Sequence, residues 1–335
     1  MNPPLLPLTL GDIFEKTFSL IGKTFFRNLL ISAVILLFPI ILMAIATDAF
    51  YSSLADMQGS ILHSRNEPGL DMILAILGPL TFFGCTTIIF ALGVLLAEIA
   101  ISIIVSQEIL SNPITFFDAL HEAFSMKCLY GIGQGILKYL ILIGGVVIVG
   151  IVIAILAAVS KVLMGLISII CLLALVPVLI YVAIKWYFAL TSVAVDDLTI
   201  IESLRNSWYL VEGHWWRTFG ILILLYILSN FFIYIISLPI TFGSMWDFYK
   251  EYFTILQKTG GNIDPQSVVQ LEKSVGPGIA IGSGISALLS LMITPVFTVV
   301  MYYDLRARGN VGATSKQQPM IKQDTSSEPI DLSNL

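Results

Sequence analysis

Apolar residues run through this chain in six long blocks, and short mixed segments separate them. The blocks at 28–47, 72–97, 139–160, 162–184, 218–246 and 274–303 carry almost no charge. Each is long enough to cross a bilayer as a helix, which takes roughly 20 residues. The second block continues to residue 107 past one glutamate, and Gly78-Pro79 inside it predicts a break that leaves a short interfacial piece before the span. The pattern predicts an all-α integral membrane protein, with six transmembrane helices arranged as three hairpins.

The mixed segments are the second regularity. TLGDIFEKTFSL at 9–20, TFFDALHEAFSM at 115–126 and TIIESLRNSWYL at 199–210 share one layout. Thr9, Thr115 and Thr199 are each followed at the third position by an acid: Asp12, Asp118 and Glu202. Phe14, Leu120 and Leu204 come five residues after the threonine, and Phe18, Phe124 and Trp208 nine after. A threonine with an acid three residues on is a helix start: the hydroxyl accepts a backbone N–H and the carboxylate reaches back. The acid also suits the positive end of the helix dipole. In the third copy Ile200, Ile201, Leu204, Trp208 and Val211 fall on one face, with Glu202, Arg205, Asn206 and Glu212 opposite. That predicts an amphipathic elbow helix in the membrane interface before each pair of spans. The repeat units are then about 9–107, 115–190 and 199–304, within one transmembrane domain over 1–308. The polar tail, 309–335, is expected to be disordered.

The connections opposite the elbows differ. Residues 48–71 predict a loop in the first unit, and Ser160-Lys161 leaves almost none in the second. In the third, 242–273 predicts an interface helix carrying Trp246, Phe248, Tyr249, Tyr252 and Phe253, closed by a turn at Thr259-Gly260-Gly261-Asn262.

Composition agrees: 57% of residues are hydrophobic and 12% are charged, against about 25% charged in soluble domains. The net charge of −5 and the absence of a basic block argue against nucleic acid as a partner. Of 17 lysines and arginines, only Arg65, Lys161, Lys250, Lys258 and Lys273 fall outside if both termini and all elbows are cytoplasmic. That is the positive-inside orientation. The expected location is the bacterial inner membrane, with the lipid bilayer, and another membrane protein, as partners. Nothing in the pattern fixes an oligomeric state. Ala44-Ile45-Ala46 has the form of a cleavage site, but the long flank with Asp12 and Glu15 keeps the first block as a span. The three cysteines and three histidines are scattered, which predicts no disulfide framework, no metal and no cofactor.

Charges inside spans are the candidate chemistry. Glu98 lies 17 residues before Thr115, and Lys185 lies 14 before Thr199. Three residues of helix are about 4.5 Å, so the two sit at similar depth and could pair. Asn230 is a further polar group in the fifth span, suited to helix–helix contact. Gly278, Gly282, Ser286 and Ser290 form a small-residue ladder for close helix packing along the sixth. No catalytic set of Ser, His and Asp appears.

Three stretches carry a family resemblance: LTLGDIFEKTFSLIGKTFFRNLL, DDLTIIESLRNSWYLVEGHWWRTFGILIL and TPVFTVVMYYDLRARG. The chain resembles, to about residue 310, the bacterial glycerophosphoryl diester phosphodiesterase membrane domain. The most specific parts are E-S-L-R-N-S-W-x-L-V-x-G-x-W-W-R and Y-Y-D-L-R-A-R. The resemblance implies a multi-pass membrane protein. That family takes its name from members fused to a soluble phosphodiesterase barrel, for which spans, elbows, loops and tail leave no room here. Neither hydrolysis nor catalytic residues carry over. The expectation is a non-enzymatic scaffold or accessory to a membrane partner or lipid process. The alternatives are a transporter using Glu98 and Lys185, and an enzyme acting on lipid within the membrane.

Overall fold

The computed structural model describes residues 7–64, 70–159, 161–259 and 275–313. Among these, every regular element is a helix: α1 (Leu10–Ser64), α2 (Leu70–Ile109), α3 (Phe116–Ala123), α4 (Met126–Val159), α5 (Lys161–Lys185), α6 (Ala189–Asp196), α7 (Ile200–Val211), α8 (Trp215–Ser244), α9 (Trp246–Thr259) and α10 (Val275–Ala313). Among the described residues, six stretches are long and apolar enough to cross a membrane. Backbone groups in hydrocarbon must be satisfied within their own segment, and helices do this for such greasy stretches.

All three threonines begin helices, and each pairs with the acid three residues on. The Thr9 amide donates to Asp12 Oδ2 at 2.9 Å, and the Asp12 amide donates to Thr9 Oγ1 at 3.3 Å. Thr115 Oγ1 takes the Asp118 amide at 3.3 Å, while its hydroxyl donates to the Asp118 carboxylate at 2.6 Å. The Thr199 amide and hydroxyl both donate to Glu202 Oε2, at 3.1 and 2.7 Å.

Beyond the start, the three copies diverge. The second and third form separate short helices, α3 and α7. The first does not, because α1 runs without interruption from Leu10 into the first span and on to Ser64. The separating turns have local causes. Ser125 binds the Glu122 carbonyl through its hydroxyl at 2.6 Å, ending α3. Gly213, at φ 78°, turns the chain between α7 and α8, a conformation that glycine adopts without Cβ strain. The first copy has no such turn, and the Thr17 and Thr24 hydroxyls bond back to the carbonyls of Ile13 and Leu20 within the helix.

Further corrections concern lengths. The expected loop at 48–71 is helical as far as Ser64. Ser53 in this stretch satisfies its hydroxyl within the helix, donating to the Ala49 carbonyl at 2.9 Å. Gly78-Pro79 does not break α2. Proline costs one intrahelical donor, but in hydrocarbon no water waits to satisfy an opened backbone. Pro39, Pro177, Pro239 and Pro295 are likewise tolerated inside helices. The helix α9 forms where an interface helix was expected and ends at Thr259; the rest of its closing turn lies outside the described residues. The helix α10 continues through Ala313, so the start of the expected tail is helical, and the remainder of the tail lies outside the described residues.

The packing divides the chain into two compact units. Unit 1 comprises Met1–Thr24, Ile99–Leu225 and Pro295–Leu335, and unit 2 comprises Phe25–Glu98 and Tyr226–Thr294. In unit 1 two segments are buried on every side, 99–106 of α2 and 295–305 of α10. A helix apolar all round belongs inside a protein. Tyr303 of α10 and Ser106 of α2 share a buried hydrogen bond of 2.7 Å. The elements α3 to α7, with the first parts of α1 and α8, complete this unit.

In unit 2 close approach depends on glycine. A Cβ on Gly93 of α2 would stand 3.0 Å from Leu36 Cδ2 and 3.5 Å from Pro39 Cγ of α1. A Cβ on Gly282 of α10 would stand 2.8 Å from Thr241 Oγ1 of α8, and one on Gly284 would stand 2.9 Å from Ile40 Cγ2 of α1. Of the expected ladder, Gly278 and Gly282 are buried, whereas Ser286 and Ser290 are half-buried. Ser290 bonds to Thr294 of its own helix at 3.3 Å. Gly284, outside the ladder, makes the second close contact.

Candidate functional site

The polar residues of unit 1 converge on one short segment, Tyr302-Tyr303-Asp304-Leu305-Arg306-Ala307-Arg308 of α10. Helical spacing puts 302 with 306 on one face and 304 with 308 on the next. Consecutive side chains therefore reach different neighbours.

Asp304 is fully buried. Its Oδ1 accepts the Leu8 amide at 2.7 Å, Arg217 Nη1 of α8 donates to its Oδ2 at 2.6 Å, and Arg308 Nε approaches both oxygens at 3.2 Å. The Leu8 carbonyl then accepts from Arg217 Nη2 at 3.1 Å and from Arg308 Nη2. The backbone of Leu8 is thus held at both its N–H and its carbonyl. A buried carboxylate is tolerable only with such compensation.

On the other face, the Tyr302 hydroxyl donates to Asp196 Oδ2 at the end of α6, and Arg306 Nη1 pairs with Asp196 Oδ1 at 2.8 Å. Asn206 of α7 donates to Tyr302 Oη at 2.9 Å and to Ser192 Oγ of α6 at 3.1 Å. Lys127 of α4, itself buried, donates to Glu122 Oε1 at 2.6 Å, Asp197 Oδ1 at 2.8 Å and the Ala194 carbonyl at 2.7 Å. A cation at the last carbonyls of α6 also suits that helix's dipole.

A third cluster closes the break between α5 and α6. The Ser207 hydroxyl donates to the Lys185 carbonyl at 2.7 Å, and its oxygen accepts the Phe188 amide at 3.1 Å. Lys185 Nζ reaches the Trp208 carbonyl at 3.3 Å and lies 5.0 Å from the Trp208 ring centroid and 5.8 Å from that of Tyr181. The cation is held by rings and a backbone oxygen. Ser207 also corrects the expected amphipathic face of the third elbow. Ser203, Leu204, Ser207 and Val211 are the buried side of α7, while Ile201 points outward. Two serines turn inward because they have backbone partners to satisfy: the Ser203 hydroxyl donates to the Ile200 carbonyl at 2.9 Å. Replacing Ser207 with alanine is expected to cost about 1–2 kcal/mol, since two buried backbone groups lose a partner. A smaller loss of thermal stability than Asn230→Ala would contradict this role.

The other expected intramembrane polar residues, Glu98 and Asn230, belong to unit 2. Glu98 is half-buried on α2, in unit 2. Asn230 donates to the Tyr226 carbonyl of its own helix at 2.8 Å. Among the described residues no group of His, Cys, Asp and Glu could hold a metal ion. The residues that sequence reasoning missed are Asp196, Asn206, Ser207, Arg217, Tyr302, Asp304, Arg306 and Arg308. One signal was visible: an aspartate at the end of a long apolar run, with arginine four residues on.

His214 adjoins the Asp304 cluster. Burial, then the guanidiniums of Arg308 and Arg217, hold its pKa below the ordinary 6.5, with Asp304 opposing. The folded state therefore resists protonation, whereas the unfolded chain accepts a proton near pH 6.5. Stability supplied by neutral His214 is present above that pH and is lost as pH falls below it. Thermal unfolding between pH 8 and 5.5 should show a loss that His214→Gln reduces; an unchanged slope would refute it.

These features define a class: an all-helical, multi-pass membrane protein whose polar side chains join its segments near the ends of its spans. A family model matches residues 21–305, and the chain belongs to that family, which is described as Domain of unknown function (DUF7847). The matched stretch takes in Asn206, Arg217, Tyr302 and Asp304. Neither a curated protein nor a solved structure matches the chain significantly.

Proposed function

We propose that this protein is a non-enzymatic scaffold or accessory of the bacterial inner membrane, serving another membrane protein or a lipid process, with both termini and the three threonine-led helix starts in the cytoplasm. The observation that carries the reading is the use made of charge in unit 1. Asp304, Asp196 and Lys127 engage arginines, acids and backbone of other segments, and so fasten the chain together. Lys185, which a transport mechanism would need to change partners, sits between aromatic rings and a backbone carbonyl. The resemblance to a membrane domain that accompanies lipid-diester enzymes agrees with a lipid-associated role.

Two measurements test this. In a cysteine-free background, cysteines at 66 and 261 should label from outside, and cysteines at 11 and 318 should not. Labelling at 11 would reverse the topology. In a strain lacking the protein, Lys185→Leu and Glu98→Leu should each restore the phenotype when they accumulate to normal levels. A well-folded Lys185→Leu protein that fails to complement would favour a transporter instead.

A further inference from the structure

Two guanidiniums, of Arg217 and Arg308, meet a single carboxylate, that of Asp304. His214 beside them is held below its ordinary pKa of 6.5, and among the described residues the charges of this ion cluster, two guanidiniums and one carboxylate, sum to +1. The excess cation is directed at a neutral acceptor, the Leu8 carbonyl. Each guanidinium carries five N–H donors. Arg217 engages Asp304 and Leu8 through Nη1 and Nη2, and Arg308 through Nε and Nη2, so both retain donors. Neither is enclosed: their side chains are 27% and 24% exposed.

The surroundings mark the depth. Trp215 stacks on Tyr181 and Phe219, with centroids 5.5 and 5.1 Å apart, and Trp216 beside them is 78% exposed. Tryptophan and tyrosine gather where headgroups begin. Arg217 stands in the first turn of α8, whose apolar stretch runs from Trp215 to Gly243. The partly open pair of guanidiniums therefore lies at the level where lipid phosphates lie.

We propose that Arg217, Arg308 and His214 form a binding site for the phosphate of an anionic phospholipid headgroup, with Trp216 against the lipid beside it. Planar guanidiniums match phosphate oxygens in paired hydrogen bonds. A lipid phosphate supplies the negative charge that balances the second arginine. The proposal needs only that the apolar helices cross a bilayer, and it is independent of the scaffold reading.

The test uses the full-length protein in neutral detergent. Native mass spectrometry and thermal unfolding track titration with phosphatidylglycerol, phosphatidylcholine or inorganic phosphate. Wild type should bind and be stabilised by phosphatidylglycerol in clear preference to phosphatidylcholine, with no matching effect of inorganic phosphate. Arg308→Gln leaves Arg217 on Asp304 and should weaken phosphatidylglycerol binding about tenfold. His214→Glu, which places an opposing charge at the site, should do the same. Arg205→Glu, an exposed charge reversal on α7, should leave the lipid preference intact. Equal binding of the two lipids, or equal loss in Arg205→Glu and His214→Glu, would overturn the site. A full effect of inorganic phosphate would overturn the lipid assignment. If Arg308→Gln fails to fold, His214→Glu alone decides.

Discussion

Replacing Asp304 with leucine should lower stability in detergent by about 3–5 kcal/mol, the range for breaking a buried ion pair from one side. The carboxylate is fully buried and accepts from Arg217, Arg308 and the Leu8 amide. Its removal leaves two cations facing each other in a site with restricted water. It also frees the amide that holds the start of the chain against α10. Thermal unfolding should show the loss, and hydrogen exchange at Leu8 should rise with it. A triple variant, with Arg217 and Arg308 also changed to methionine, should recover much of the stability, because an ion cluster replaced as a whole leaves no charge behind. A single Asp304→Leu change that costs less than about 1 kcal/mol would show that the cluster is solvated and does not hold the fold.

Gly284→Leu should be the second severe change, at about 2–3 kcal/mol, the upper part of the range for inserting bulk into a packed core. The first added carbon already meets Ile40 Cγ2 at 2.9 Å and Cγ1 at 3.2 Å, so α1 and α10 must separate locally. Gly284→Leu paired with Ile40→Ala should restore part of the loss, since the smaller partner makes room. Gly220, with nothing within 4 Å of its would-be Cβ, is the internal comparison, and Gly220→Leu should be mild. Similar melting temperatures for Gly284→Leu and Gly220→Leu would show that this contact does not set the helix spacing.

The glycines and Lys185 differ in how far local sequence reveals their roles. Gly282 and Gly284 are two residues apart, and the small-residue ladder pointed to the first only. Which glycine receives which neighbour depends on the direction from which α8 and α1 arrive, and that is not a local property. Lys185 stood out as a charge in an apolar run, and the structure gives it a specific place. Its partners on α7, the Trp208 ring and carbonyl, could not be read from spacing, because α6 intervenes and only the break after it, with Asp197 at φ 55°, brings α7 back beside the end of α5.

The sequence by itself determined the membrane class, the six spans and the positions where α1, α3 and α7 begin. Each of these is settled within a few residues of chain: hydrocarbon selects for unbroken apolar helix, and a threonine three residues before an acid satisfies a helix start from its own neighbours. It could not say that the first start merges into its span while the others turn away, since Ser19 stands where Ser125 ends α3 and yet α1 runs on through it. Only the tertiary structure decided the meaning of the strongly polar residues. Leu8 and Asp304 are 296 positions apart, and Asp196 and Arg306 are 110 apart. Burial makes such pairs matter, because a charge removed from water must find its partner wherever the fold delivers one.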